Sequence, residues 1–108
     1  MQIIKGAGTA VAPGSVPGEY VEHIRSDQLS AGTYLIPAGG VDDQTPHRED
    51  EIYLVTAGRA RVITGSGEAD VEPGDLIFVP AREPHRFVDV TEDLALLVFF
   101  APAFTGRT

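Results

Sequence analysis

Pro73-Gly74-Asp75-Leu76-Ile77-Phe78-Val79-Pro80-Ala81-Arg82-Glu83-Pro84-His85-Arg86-Phe87, residues 73–87, reads as a turn, a strand, a second turn and the opening of another strand. Pro73-Gly74-Asp75 supplies turn chemistry, Leu76–Val79 is short and apolar, and Pro80 ends it. The chain then delivers His85 to the mouth of the next run, Arg86–Val90. A residue at a strand mouth can point into a barrel, because successive side chains alternate between faces. The same punctuation extends in both directions. Upstream lie Glu19–Arg25, Thr33–Ile36, Ile52–Thr56, Arg61–Thr64 and Glu68–Val71; downstream, Thr91-Glu92-Asp93 separates Arg86–Val90 from Leu94–Phe100. Ala57-Gly58-Arg59 is expected to form a tight connection between two of these strands. No window of about 11 residues keeps helical spacing. Seven or eight short strands in one small chain must close or stack to hide their edges, so an all-β barrel or jelly roll is expected.

The chain has 108 residues, 43% of them hydrophobic, which suits one globular domain. Residues 1–18 are expected to form an N-terminal arm and residues 19–104 the barrel. Residues 6–18, GAGTAVAPGSVPG, are small and Pro-broken and can pack on a neighbour. Sixteen Asp/Glu against eight Lys/Arg give a formal charge of −8. That balance disfavours nucleic-acid and anionic-membrane partners, which need basic surface. With no cysteine there is no disulfide, thiolate zinc site, iron–sulfur cluster or cysteine nucleophile. No run reaches the ~18 apolar residues of a membrane span, and the N-terminus makes a poor signal peptide. The expectation is a soluble cytoplasmic protein.

Chemistry concentrates in Asp42-Asp43-Gln44-Thr45-Pro46-His47-Arg48-Glu49-Asp50-Glu51-Ile52-Tyr53, where His47 and Glu51 stand four apart at a strand entrance. Imidazole nitrogen and carboxylate oxygen together suit a first-row divalent metal. By spacing alone, a solvated loop histidine is the commoner outcome for His47, and a structural role for His85. Tyr53 and Val55 share parity with Glu51, and Phe87 with His85, so all three should face the interior as core or pocket wall. His23 reads as a partly exposed sheet residue. Arg61 and Arg86 are candidate substrate anchors if they point inward.

Taken together, the two stretches resemble the paired motifs of the small cupins. The first motif reads here Gly39, five residues, Thr45-Pro46-His47, three residues, Glu51, six residues, Gly58. The second reads Gly74, five residues, Pro80-Ala81-Arg82, two residues, His85, three residues, Asp89. The resemblance spans about residues 32–102 and implies a single cupin jelly-roll barrel. It implies metal ligands at His47, Glu51 and His85, with one divalent transition metal (Fe, Mn, Ni, Cu or Zn). Three positions depart from the family pattern. Thr45 stands where the first motif histidine belongs, and neighbouring Gln44 is either a fourth ligand or water-holding group, or a plain loop residue. Arg82 replaces a glycine, which suits the turn only if that position does not need a positive φ. Asp89 replaces an asparagine and is expected to be a structural strand-end residue.

Two histidines and one carboxylate match the ligand types of the facial triad that leaves coordination positions open. The leading expectation is therefore a metal-dependent enzyme acting on a small organic molecule, by oxygen-dependent oxidation or ring cleavage, with Glu51 also accepting a proton. The alternatives are a non-catalytic small-molecule binder or sensor, and a metal-assisted isomerase or lyase. A homodimer is the family-based expectation for assembly.

Overall fold

The computed structural model describes every residue except Asp43, Thr45, Arg107 and Thr108, so the Thr45 expectation falls outside the described residues. Six strands follow in order: β1 (Tyr20–Arg25), β2 (Ser30–Ile36), β3 (Asp50–Thr64), β4 (Gly67–Val71), β5 (Leu76–Val79) and β6 (His85–Ala101). All pairings are antiparallel, in the order β1-β2-β6-β3-β4, with β5 on β3. No helix occurs among the described residues. The all-β architecture expected from the sequence is the one observed.

Two expected interruptions are not interruptions. Ile52–Thr56 and Arg61–Thr64 are one 15-residue strand, β3, and Ala57-Gly58-Arg59 does not reverse the chain. Likewise Arg86–Val90 and Leu94–Phe100 form the continuous 17-residue β6, running through Thr91-Glu92-Asp93. The two pair along their whole length, from Asp50↔Ala101 to Thr64↔His85, with register shifts between Val55 and Arg61. Extra residues of this kind bend a strand without ending it. Gly58 sits in the bend at φ 86°, where a Cβ would overlap the Asp93 carbonyl. Glycine is needed because the partner backbone passes so close. Asp89 lies inside β6 at φ 50°, in the same bulged region, and so is not a strand-end residue.

The bend folds the long β3–β6 ribbon over on itself. The first half of β3, flanked by β5 and the second half of β6, faces the second half of β3, flanked by β4 and the first half of β6. Alternation then sorts the side chains. On β3, Glu51, Tyr53 and Val55 are buried, while Ile52 and Leu54 are only partly covered. Tyr53 and Phe87, at 0% and 1% exposure, meet edge to face across the interior at 5.0 Å, as parity with Glu51 and His85 implied. Burying each ring contributes roughly 1.5–3 kcal/mol. Before β1, residues 9–15 lie against β2 and β6, with Ala12 buried and Thr9, Ala10 and Ser15 near Leu35 and Ala95. Among the described residues no helix is long and apolar enough to cross a membrane.

Candidate metal centre

His47 lies in the loop before β3, Glu51 is the second residue of β3, and His85 opens β6. These come from both halves of the ribbon, and its folding brings them to one end of the interior. The ligand atoms of all three lie within 4.8 Å of one another, and all three residues are buried. His85 Nε2 is 3.0 Å and His47 Nε2 3.8 Å from Glu51 Oε1, with ring centroids 5.3 Å apart.

Backbone contacts aim the His85 imidazole and hold the loop that carries His47, whose ring Nδ1 is buried without a hydrogen bond. His85 Nδ1 donates to the Glu83 carbonyl at 2.9 Å, which turns Nε2 inward. The His47 carbonyl accepts the Arg82 N–H at 2.6 Å, and Asp50 accepts the Ala81 N–H at 2.8 Å, so the turn after β5 clamps the loop carrying His47. Making that clamp puts Arg82 at φ 69°. The position does need a positive φ, and the arginine adopts it at a cost that glycine would not incur.

The donor chemistry fits a divalent transition metal. Glu51 Oε1 is buried and makes no hydrogen bond, although two imidazole nitrogens approach it. A carboxylate oxygen left in that state is costly unless something else satisfies it. Two imidazole nitrogens and one carboxylate oxygen facing a common point would do so by sharing a cation. Without one, burial pushes the His47 pKa down, only partly offset by Glu51. For His85, burial acts in the same direction, but Glu51 and the Glu83 carbonyl outweigh it and the pKa rises.

Gln44 stands beside the triad, its Oε1 3.2 Å from His47 Nε2. Tyr53 Oη donates to the same oxygen at 3.1 Å and lies 3.1 Å from His85 Nε2. Burial, followed by Glu51, raises the Tyr53 pKa well above the ordinary phenol value. Parity placed Tyr53 inside; that its hydroxyl reaches the candidate ligands is visible only in three dimensions.

His47, Glu51 and Gln44 form the polar end of a cavity of about 360 Å³ whose walls include Tyr20, Tyr34, Phe100 and Phe104. This is large enough for a small organic molecule. Gly32 makes room for one wall: a Cβ there would lie 2.7 Å from the Tyr20 ring. The Tyr20 hydroxyl is buried without a close partner, and burial raises its pKa. Phe104 stacks on Phe100 at 4.5 Å and meets His47 edge-on at 5.2 Å. It is held there by Ser30 Oγ, which accepts its N–H at 2.9 Å, and by Arg25, which donates to its carbonyl at 2.8 Å. No sequence signal marked this closing segment, which lies past the last motif.

The remaining candidates lie elsewhere. Arg61 pairs with Asp70 and Glu68 on the outside, and Arg86 is exposed, so neither is an inward anchor. His23 is a half-buried sheet residue that hydrogen-bonds Thr33 at 3.0 Å, as expected.

The cupin-domain family pattern matches residues 32–100, and the chain belongs to the cupin family. It is 40% identical over 85 residues to an uncharacterized protein of Streptomyces coelicolor, covering 79% of this chain and 81% of that one. Among solved structures it is similar to the DMSP lyase DddQ of Ruegeria pomeroyi, with a TM-score of 0.66 and 31% identity over 70% of this chain. The chain spans only 39% of that lyase. It is also similar to TT1209 of Thermus thermophilus, with a TM-score of 0.69 and 25% identity, covering 79% of this chain and 83% of that one.

Proposed function

We propose that this cupin is a metal-dependent enzyme acting on a small organic molecule held in the aromatic-walled cavity. The observation that carries the reading is the buried Glu51 oxygen, without a hydrogen bond and facing the His47 and His85 imidazole nitrogens, with His47 and Glu51 lining the cavity. A redox-active divalent ion held by His47, Glu51 and His85 would supply Lewis acidity and a route to dioxygen. The leading reaction is oxidative cleavage, with dioxygen as oxidant and both its atoms entering the product. In it the Glu51 carboxylate accepts the substrate proton, while Phe100 and Phe104 exclude water.

A second reading, a metal-assisted lyase or isomerase, is favoured by Tyr53. Its hydroxyl touches both His85 and Gln44, where a phenol can relay a proton without any oxidant. The likeness to a lyase at 31% identity supports the same alternative.

The test is metal analysis of the purified protein, followed by turnover of a substrate panel with and without oxygen. Stoichiometric metal and oxygen consumption coupled to product support the leading reading. Turnover that ignores oxygen selects the second. Absence of metal, with no thermal shift on adding Fe(II), Mn(II), Ni(II), Cu(II) or Zn(II), leaves a non-catalytic binder.

We also propose a homodimer. Leu76 and Phe78 on β5 and Phe99 on β6, strands that flank β3 on either side, remain 68%, 60% and 40% exposed. Such an apolar patch supports pairing of two copies. Light scattering should report twice the 11.5 kDa chain mass, and a monomer would refute it.

A further inference from the structure

Asp42 is a carboxylate only 3% exposed, set in the loop before His47 and remote from bulk water. Its Oδ2 accepts the Phe87 backbone N–H and Gln44 Nε2, each at 2.8 Å. Its Oδ1 accepts the Tyr34 hydroxyl at 3.1 Å and the Gln44 backbone N–H at 3.4 Å. A buried carboxylate this fully engaged is anchored to β2 and β6 at once, and it turns one edge toward Gln44.

That edge decides which way the Gln44 amide faces. A carboxamide presents a donor nitrogen and an acceptor oxygen on opposite sides. Because Oδ2 already accepts the Phe87 N–H, it takes the Gln44 nitrogen and repels the oxygen. The oxygen is thereby directed to the other side, where it lies 3.2 Å from His47 Nε2 and accepts the Tyr53 hydroxyl.

We propose that Asp42 is a positioning residue: it locks the Gln44 carboxamide so that its oxygen adds a fourth, neutral donor to the site of His47, Glu51 and His85. This rests on the reading of those three residues as metal ligands. The donor set then becomes two nitrogens and two oxygens, which suits a harder ion such as Mn(II) better than a set with a third imidazole.

The experiment is Mn(II) titration of the full chain by calorimetry, with Asp42→Asn, Gln44→Ala and the double variant. Outer partners of a ligand are worth about 10–100-fold in affinity, so each single variant is expected to weaken binding about 10-fold. The double variant should be no weaker than either single, because both act through one oxygen. A purely structural role for Asp42 would instead give losses that multiply, and this would overturn the proposal, as would a Gln44→Ala variant that binds like the wild type. Should Asp42→Asn fail to fold, Zn(II) titration of the labelled wild-type chain decides. The Gln44 side-chain carbonyl resonance moves on metal addition if its oxygen coordinates, and an unmoved resonance overturns the proposal. A wild-type chain that binds neither Mn(II) nor Zn(II) would refute the metal reading itself, an outcome distinct from the others.

Discussion

The folded ribbon carries charged side chains in two settings, and they are treated in opposite ways. Around the outer cleft, Arg59 pairs with Glu72 at 2.7 Å and Glu92 at 3.4 Å, and Arg61 pairs with Glu68 and Asp70. All of these side chains are at least 43% exposed. At the candidate metal site, His47, Glu51 and His85 are nearly shielded from solvent, and Glu51 Oε1 has no hydrogen bond. Exposed charges that pair with one another satisfy themselves and the surrounding water, so they imply no ligand. Three buried ligand-type side chains facing one point, with a carboxylate oxygen that makes no hydrogen bond, fit a shared cation. Size alone would mislead here, because the outer cleft, at about 500 Å³, is larger than the aromatic cavity.

The sharpest way to break this contrast is His85→Ala. It should abolish bound metal while the far-UV spectrum stays that of a β-barrel, because the apolar core is built by other residues. Metal content equal to wild type would place the ion elsewhere. Phe104→Ala comes next. Opening the cavity wall next to His47 should raise KM several-fold, or admit bulkier substrates, and leave metal stoichiometry intact; kinetics on the substrate panel would show this. Arg82→Gly has a smaller, stabilising effect. Relieving a left-handed backbone is worth about 1 kcal/mol less the glycine entropy cost, so melting should rise by roughly 2–4 °C. A lower melting temperature would mean that the arginine side chain contributes more than its backbone costs. Arg59→Ala should have the smallest effect, with metal content and activity unchanged and a marginal loss in melting temperature that disappears in high salt.

These residues also show how far the chain could be read before folding. His47, Glu51 and His85 were legible because ligand types at two motif spacings survive in the linear sequence. Tyr53, Val55 and Phe87 were legible because strand parity is local. Gly58 reads locally as part of a tight connection and Thr91-Glu92-Asp93 as a break between strands, yet both lie inside continuous strands. A glycine or polar triplet marks a bulge as readily as a turn, and only the partner strand distinguishes them. The φ of Arg82 is not legible locally, because the clamp onto the His47 carbonyl, which comes from another part of the chain, decides it. Asp42 and Phe104 carry no signal in the linear sequence, since their roles depend on Phe87, Ser30 and Arg25, each distant in sequence from the residue it holds.

Anomalous diffraction from crystals grown with Mn(II) or Zn(II) would locate an ion held by His47, Glu51 and His85. One strong peak per chain is expected, about 2.0–2.2 Å from the His47 and His85 Nε2 atoms and a Glu51 carboxylate oxygen. A peak confined to the Arg59 and Arg61 cleft, or no peak between the two imidazoles at saturating metal, would contradict it.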